Sequence, residues 1–520
     1  MIATLYAIAT GALVIYGLNL LWLAFGFVRH NRLETGVAAG NAAGNAARDA
    51  AGNATGNSTG DVAGTSTQDP GVEHLLDGPL PVVTIQLPIY NERFVAKRLI
   101  DACAAINYPS DKLEIQVLDD SIDDTVDIIE ERVRHWRARG RDIVHVQRSE
   151  RAGFKAGALQ HGLSTSRGEF IAIFDADFIP RPDFLASTLP HFGDPNVGMV
   201  QTRWIFLNRD WSLLTRLQAL SLEAHFVVEQ FVRNRAGCFI NFNGTGGVWR
   251  RTCIDDAGGW HTDTLTEDLD LSYRAQLKGW RFTFLRGTEA PSELPIGMNA
   301  FRAQQFRWTK GAIQTAKKTV GNLIRQRPGV KTTVQGLIHL TNHLVFPFVL
   351  IVGFLHAPLF YLRGTASGPG DWYFAMMATG VVALFGVFLV QLFAQRWLHP
   401  DWVKRMTLFP LFIAGSMGFS INNTFAVADA LSGRQSPFVR TPKLSNSGPG
   451  KRDKWWDNPY ATRRLPRVVL FEIAMAVYCA SGLVLIIGLH EWMAVPFQAF
   501  LTLSFGLVSF FNLAQVAQSR

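Results

Sequence analysis

Cysteine is scarce in this sequence, which has four cysteines among 520 residues and no C-x-x-C pair. This scarcity excludes a zinc-ribbon or disulfide-framework protein and fits a reducing compartment. A G-x-x-x-x-G-K-S/T loop is also absent, which disfavours an ordinary P-loop NTPase. Zinc-finger spacing, an RRM-like aromatic signature and a basic arm are missing too, so the net charge of +8 predicts no nucleic-acid partner.

Charged residues are also few, at 18% of the chain, whereas soluble domains carry roughly 25%. Hydrophobic residues reach 48%, which indicates membrane segments rather than one large soluble core. Residues 1–28 carry no charge, are too long for a signal-peptide core and lack its basic start, so they predict a membrane-spanning helix. RHNR follows at 29–32, and the positive-inside rule places that end in the cytoplasm.

The C-terminal third of the chain contains further apolar runs. Four of them predict membrane spans, at about 337–362, 373–395, 467–490 and 492–515. The apolar part of 406–430 is short, and the strongly basic loop that follows it belongs on the cytoplasmic side. We therefore interpret 406–430 as a cytoplasmic interface helix, with a further membrane span as the alternative.

These features divide the chain into seven segments. Residues 33–77 are rich in Ala, Gly, Asn, Ser and Thr, and cannot bury enough apolar area to offset the entropy of ordering. The segments are an N-terminal transmembrane helix (1–32), a flexible linker (33–77), an α/β domain (78–300), interface helices (301–336), two transmembrane helices (337–395), a cytoplasmic interface helix with a basic loop (396–466) and two transmembrane helices (467–520).

Residues 78–300 contain no membrane-spanning run and alternate between strand and helix patterns. Several strands are almost entirely apolar, as expected when helices cover both faces of a parallel sheet. This alternation predicts a doubly wound α/β domain, in which ligands bind at the carboxyl ends of strands. The predicted strands are 82–87, 113–118, 143–147, 170–174 and 197–202, and the predicted helices are about 93–106, 123–138 and 155–166.

Polar or acidic residues follow three of these strands, in the sequences PIYNE (88–92), DDS (119–121) and DAD (175–177). A single acidic strand end is usually a turn or a helix cap, but three ends that converge indicate a site. Asp175 and Asp177, one residue apart, could share a hard divalent cation, Mg²⁺ or Mn²⁺. Such a cation would leave open positions for the oxygens of a diphosphate.

The segment LTEDLDLSYRAQLKGW (265–280) predicts the start of a helix with Thr266 as its cap. The simpler explanation of its acids, Glu267 and Asp268, is that they favour the positive end of the helix. The functional interpretation makes Asp268 a general base whose pKa is raised by a neighbouring acid.

The segment QQFRWTKG (304–311) precedes the second membrane span. Arg307 could chelate phosphate oxygens, and Trp308 could stack on a sugar ring. The alternative is an amphipathic helix with interfacial Trp and Arg, which is common beside membranes.

PIYNE, DDS, GFKAG, FDAD, TED and QQFRW occur in this order and are followed by membrane spans. Together they resemble membrane-bound family 2 glycosyltransferases, with the D, D, D, Q-x-x-R-W signature of cellulose-synthase-like enzymes. The resemblance covers about residues 80–450. PFVRTPK (437–443) resembles the gating loop of this family, in a form closer to mannan- and glucomannan-synthase-like members and their bacterial relatives than to bacterial cellulose synthase.

The resemblance implies a GT-A fold, which is α/β with a Rossmann-like mixed sheet, joined to an α-helical transmembrane bundle. It implies a hexosyltransferase that inverts the donor sugar, uses Mg²⁺ or Mn²⁺, and takes UDP-glucose or GDP-mannose. The product would be a β-mannan, glucomannan or β-glucan, made processively and exported. The protein would lie in the cell membrane with several spans and a cytoplasmic catalytic domain, and its oligomeric state stays open.

Two other functions remain as alternatives. One is a single-transfer β-glucosyltransferase that acts on a membrane lipid such as ceramide or diacylglycerol. The other is a non-enzymatic channel or transporter, although the four C-terminal spans carry almost no charge beyond Glu472, contrary to a transport path.

The resemblance also implies roles for single residues. Those expected to bind the donor are Tyr90, Glu92, Asp119 or Asp120, Lys155, Asp175, Thr441 and Lys443. Those expected at the reacting centre are the base Asp268, its neighbour Glu267, and Gln304, Arg307 and Trp308. Asp177, with Asp175, is expected to hold the metal. Asn243 stands where cellulose synthases often have Cys, so the acceptor and the sugar stay open.

Overall fold

The computed structural model describes residues 1–52, 79–363, 365, 368–434, 443 and 465–518, with the backbone alone described at 35–52 and 518. Helix α1 spans Ile2–Gly52 and includes the predicted first span. Its continuation to Gly52 differs from the flexible linker expected at 33–77. Alanine, the strongest helix former, is frequent in this segment and accounts for the helix. The rest of the predicted linker, 53–77, lies outside the described residues.

A mixed sheet forms the centre of the α/β domain. In the described part of the chain it has seven strands in the order β3-β2-β1-β4-β6-β5-β7. Their bounds are β1 Val83–Ile89, β2 Leu113–Asp119, β3 Asp142–Gln147, β4 Phe170–Ile173, β5 Val197–Phe206, β6 Gly247–Arg250 and β7 Arg281–Ser292. The first four strands are parallel, and β6 runs antiparallel between β4 and β5. The five predicted strands are confirmed, whereas β6 and β7 were not anticipated.

The register brings the carboxyl ends of neighbouring strands to one edge. Ile89 at the end of β1 pairs with Asp119 at the end of β2, so Tyr90 and Asp120 follow at the same level. β4 ends opposite the middle of β1, where Ile173 pairs with Gln86. The polar residues that follow β1, β2 and β4 therefore meet at this edge, as their positions predict.

Helices cover both faces of the sheet. They are α2 Ala96–Ala104, α3 Thr125–Arg137, α4 Phe154–Thr165, α5 Phe184–Thr188, α6 Leu213–Ala224, α7 Phe231–Arg235, α8 Arg251–Asp256 and α9 Glu267–Leu277. The three predicted helices correspond to α2, α3 and α4. Alternate residues of β4 enter different cores: Ile171 and Ile173 pack with α4 and α1, whereas Phe170 and Ala172 pack with the core that contains α2 and α3. Burial on both faces explains the apolar sequence of this strand.

The second half of the chain is helical. Its helices are α10 Met298–Gln326, α11 Val330–Thr341, α12 Val345–Arg363, α13 Asp371–Met377, α14 Val381–Leu398, α15 Trp402–Met406, α16 Phe409–Gly418, α17 Ser420–Leu431, α18 Val468–Gly488 and α19 Val495–Gln518. Within the described residues, six stretches are long and apolar enough to cross a membrane, by length and composition. They indicate an integral membrane protein, and five of them overlap the five predicted spans.

The sixth stretch, Trp402–Leu431, contains the predicted interface helix 406–430. It consists of three consecutive pieces, α15, α16 and α17, each shorter than the roughly 20 residues that span a bilayer. Helix α17 packs against α10, and α16 packs against α19. The interface location of this stretch stays a prediction.

Ion pairs join α10 to the bundle. Arg302 of α10 donates to both carboxylate oxygens of Glu472 in α18, at 2.6 and 2.9 Å, and both side chains are buried. Lys310, also in α10 and fully buried, donates to Asp429 of α17 at 2.5 Å. Breaking a buried pair of this kind typically costs about 3–5 kcal/mol, because it leaves an uncompensated charge. Helix α10 is thus fixed to the bundle along the segment that carries QQFRW.

Candidate active site

A cleft opens at the carboxyl ends of β1, β2 and β4, between the sheet, the start of α9 and helix α10. Most residues predicted as functional line it together: Tyr90, Glu92, Asp120, Lys155, Asp175, Asp177, Glu267, Asp268, Gln304, Arg307, Trp308 and Lys443. Two predicted residues are not among them. Asp119 lies beneath the cleft, and Thr441 lies outside the described residues.

The structure separates the roles of Asp119 and Asp120. Asp119 is buried, 2.8 Å from Nε2 of His145, and accepts from the backbone N–H of Ser121 at 2.8 Å. Burial would raise the pKa of Asp119, but these hydrogen bonds outweigh it and lower the pKa. Asp120 lines the cleft and accepts from Arg148 at 2.9 and 2.5 Å. Only Asp120 is therefore placed to reach a ligand.

Next to Asp120, the cleft is lined by an aromatic ring, Tyr90, and a cation, Arg151. The guanidinium of Arg151 lies 3.4 Å from the centre of the Tyr90 ring and 3.9 Å from Asp120. Arg151 was not predicted as a site residue, since nothing in its sequence neighbourhood distinguishes it from a surface arginine. A flat group that entered here would meet the stacked Tyr90 and Arg151 rather than open solvent.

Asp175 follows β4 and is paired with a lysine from α4. Lys155 donates to Oδ1 of Asp175 at 2.5 Å and to the carbonyl of Gly244 at 2.8 Å. Burial would lower the pKa of Lys155, but the charges of Asp175 and Glu267 raise it overall. Lys155 therefore remains an ammonium at the floor of the cleft.

Asp177 is paired with a lysine from the basic loop. Nζ of Lys443 lies 2.5 Å from Oδ2 of Asp177, whose side chain is only 8% exposed. Each acid of the D-x-D motif thus has a cationic partner, Lys155 for Asp175 and Lys443 for Asp177. Both acids therefore lie in surroundings that attract positive charge. Their carboxylate oxygens suit a divalent cation, and its approach to Asp177 would displace Lys443.

Two adjacent acids, Glu267 and Asp268, begin helix α9. Burial, followed by the charge of Glu267, raises the pKa of Asp268 to about 7, while Lys155 opposes this rise. Burial also raises the pKa of Glu267. Asp268 is therefore an acid that exchanges its proton near neutral pH, as a general base requires.

Thr266 occupies the N-cap position of α9, as predicted, but it does not act as a side-chain cap. Its side chain makes no capping hydrogen bond, and its hydroxyl lies 3.2 Å from that of Thr315 in α10. The reason is the close approach of α10, because a β-carbon at Gly311 would lie 2.5 Å from the Thr266 methyl. Gly311, just beyond QQFRW, thus lets α10 pack directly on the TED segment.

Helix α10 brings Gln304, Arg307 and Trp308 to the cleft from the side of the membrane bundle. Burial lowers the pKa of Arg307, while Glu267 and Asp175 oppose the shift. Arg307 remains charged, and its guanidinium lies in the field of both acid pairs. It can bind a phosphate bidentately.

A second group of acids, outside the cleft, was not predicted. His261, Asp263 and Asp270 place one possible metal-ligand atom each within 4.8 Å of one another, the one such group among the residues described. Lys318 of α10 lies 2.9 to 3.0 Å from all three. An ammonium already occupies this position, so the cluster anchors α10 to α9 and does not indicate a metal.

Comparison with known proteins identifies the fold. Residues 81–311 match the family described as "Glycosyltransferase like family 2". This part of the chain is therefore similar to a family 2 glycosyltransferase domain. The match begins just before β1 and ends after QQFRW, so it contains the whole sheet and all described cleft residues except Lys443.

Curated relatives agree with this assignment. The chain is 45% identical over 260 residues to glucomannan 4-beta-mannosyltransferase 2 of Arabidopsis thaliana, which covers 49% of each chain. It is 46% identical over 246 residues to probable glucomannan 4-beta-mannosyltransferase 7 of Oryza sativa subsp. japonica, covering 46% of this chain and 42% of the relative. The chain matches about half the length of these relatives. The predicted resemblance to cellulose-synthase-like family 2 glycosyltransferases is confirmed.

One solved structure shares the overall fold. The mannosyltransferase PcManGT from Pyrobaculum calidifontis, in complex with GDP-Man and Mn²⁺, aligns with a TM-score of 0.51 at 20% identity. The alignment covers 84% of this chain and 100% of that one. The predicted GT-A fold, with its mixed sheet and Rossmann-like half, is confirmed.

Proposed function

We propose that this protein is an inverting hexosyltransferase that transfers mannose from GDP-mannose to a growing β-linked mannan or glucomannan. The observation that carries the proposal is the cleft itself. Asp268, whose pKa is raised to about 7, lines the same cleft as the cations Lys155 and Arg307. The acid suits the acceptor proton, and the two cations suit a leaving diphosphate.

The reaction follows from these positions. The acceptor hydroxyl loses its proton to Asp268 as its oxygen attacks the anomeric carbon. The bond from that carbon to the diphosphate oxygen breaks, and the bonding electrons leave with the nucleoside diphosphate. Attack opposite the leaving group converts an α-linked donor into a β-glycoside.

Lys155 and Arg307 stabilise the charge that develops on the leaving group. Lys155 is fixed by Asp175 and the Gly244 carbonyl, so it does not need to reorient during the reaction. Removing one preorganised donor of this kind typically lowers the rate by about 10²–10³-fold.

Asp177 and Asp175 would hold a divalent cation, Mg²⁺ or Mn²⁺. When bound, this ion would neutralise the diphosphate as a Lewis acid. Lys443 must leave Asp177 for the ion to bind, and its ammonium is then available to a donor phosphate oxygen. The fit rests on two hard carboxylate donors at the end of a rigid, fully buried strand.

Mannose is favoured over glucose because the curated relatives are glucomannan 4-beta-mannosyltransferases. The same names favour a polysaccharide acceptor over a lipid. The candidate spans support a cell-membrane location. With 406–430 at the interface rather than across the membrane, the positive-inside rule favours the cytoplasmic side for the basic loop and the cleft. A processive synthase that also exports its product fits this arrangement.

The test uses membranes that contain the protein, a panel of UDP- and GDP-sugars, and digestion of the product. We expect incorporation from GDP-mannose into a polymer that endo-β-mannanase degrades. Transfer from UDP-glucose alone would contradict the assigned donor. A single glycosylated lipid, resistant to the endo-enzyme, would contradict the assigned acceptor.

A further inference from the structure

An irregular turn lies beside the cleft, between α6 and α7. Residues His225–Gln230 form a π-helical turn, a rare geometry that is frequent at functional sites. Nδ1 of His225 lies 3.3 Å from Oε2 of Glu229, and its Nε2 lies 3.1 Å from Oδ1 of Asn243. The wide turn thus aims His225 at a residue that lines the cleft.

The neighbours of Asn243 determine how its amide is oriented. Asn241 donates from Nδ2 to the Phe242 carbonyl at 3.1 Å and, with the same nitrogen, to Oδ1 of Asn243 at 3.1 Å. The atom of Asn243 that faces Asn241 is therefore the oxygen, and His225 must also donate to it. Each ring nitrogen of His225 therefore faces a side-chain oxygen, Nδ1 that of Glu229 and Nε2 that of Asn243.

In this arrangement the amide nitrogen of Asn243 can still donate a hydrogen bond to a ligand. Its contact with a described residue is the Asn241 carbonyl, at 3.5 Å, the outer limit of a hydrogen bond. An amide nitrogen has two N–H donors, so at least one can serve a hydroxyl oxygen in the cleft.

The backbone around Asn243 is held without His225. The N–H of Asn243 donates to Gln201 at 2.9 Å, and Gln230 donates to the Asn241 carbonyl at 2.8 Å. Removing the imidazole should therefore take away one of the two hydrogen bonds to Oδ1 of Asn243, loosen this side chain and leave the loop in place.

Asn243 adjoins the reacting centre. A β-carbon at the next residue, Gly244, would lie 3.1 Å from Oδ2 of Asp268 and 3.4 Å from Nζ of Lys155. Gly244 also has φ +82°, a conformation that favours glycine. A sugar whose hydroxyl contacts Asp268 therefore lies within reach of the Asn243 amide.

We propose that His225, held by Glu229, is a positioning residue that fixes Asn243 so that its amide nitrogen donates to a hydroxyl of the acceptor sugar. This inference rests on the proposed function, which places the acceptor hydroxyl at Asp268. It assigns a role to two residues, His225 and Glu229, that touch neither donor nor metal.

The test is a double-mutant cycle of His225→Ala and Asn243→Ala in the purified full chain, with β-1,4-linked mannohexaose as acceptor. We expect His225→Ala to raise the acceptor KM about tenfold and leave the donor KM within about twofold, the size of one lost hydrogen bond. In the Asn243→Ala background, His225→Ala should have no further effect.

Two further variants separate positioning from folding. His225→Gln, whose amide nitrogen can replace the donor at Nε2, should recover most of the acceptor KM. His161→Ala, in the exposed part of α4, is the matched control and should leave both KM values unchanged. Equal losses from His225→Ala in both backgrounds, or a donor KM that rises in parallel, would overturn the inference.

The assay uses whichever nucleotide sugar the wild-type protein transfers. Transfer from a sugar other than mannose would therefore overturn the proposed donor and leave the acceptor comparison intact. Failure to transfer from any nucleotide sugar would overturn both proposals.

Discussion

Two pairs of acids line one cleft, and their surroundings differ. Asp175 and Asp177 are each paired with a lysine, Lys155 and Lys443, at 2.5 Å. Glu267 and Asp268 are adjacent in the chain, and burial with mutual repulsion raises the pKa of Asp268 to about 7. The first pair is suited to cations and the second to a proton, so similar residues acquire different chemistry from their partners.

The largest effect should come from the second pair. Replacing Asp268 with Asn removes the group proposed to take the acceptor proton, while the shape of the cleft stays nearly the same. We expect kcat to fall about 10²–10⁴-fold, the usual contribution of a general base. Turnover within a few-fold of wild type would refute the role of Asp268, and unchanged binding of GDP would show that the cleft is intact.

The pH dependence of transfer should come from the same acid. Asp268 must be ionised to accept a proton, so the rate should rise with pH through its raised pKa, near 7. In Glu267→Gln, one cause of that raised pKa is removed, and the acid limb of the pH–kcat profile should move to lower pH. An acid limb that stays in place, or moves to higher pH, would show that another group controls the profile.

The smallest effect should come from the first pair. In Lys443→Ala, a dication no longer competes with an ammonium for Asp177. We expect the affinity for Mn²⁺ without nucleotide to increase about threefold, within the usual range of a single ion pair. Calorimetric titration measures this directly, with Lys112→Ala on the outer surface as the control. A lower affinity would mean that Lys443 supports the metal site.

The sequence predicted the site residues best where polar residues directly follow an apolar strand. PIYNE, DDS and DAD follow apolar strands, and the parallel register alone brings these ends together. The convergence of Asp120, Asp175 and Asp177 could therefore be predicted from the strand pattern, whereas the place of Asp268, at the start of α9, was expected from the family resemblance.

Features that depend on contacts between distant segments could not be predicted. Thr266 has the residue type of a helix cap, but the approach of α10 directs its hydroxyl to Thr315. Strand β6 is only four residues long and is stabilised by pairing with β4 and β5 rather than by its own composition. His225 and Asn243 are 18 residues apart in the chain, and no spacing rule connects them.

The most direct test of the division between the two acid pairs is to measure Mn²⁺-dependent GDP binding by Asp177→Asn and Asp268→Asn side by side. We predict that Asp177→Asn loses most of the Mn²⁺-dependent binding, whereas Asp268→Asn binds like wild type and fails to transfer sugar. Equal loss of binding in both variants, or loss in Asp268→Asn alone, would contradict the assignment of the cation to one pair and the proton to the other.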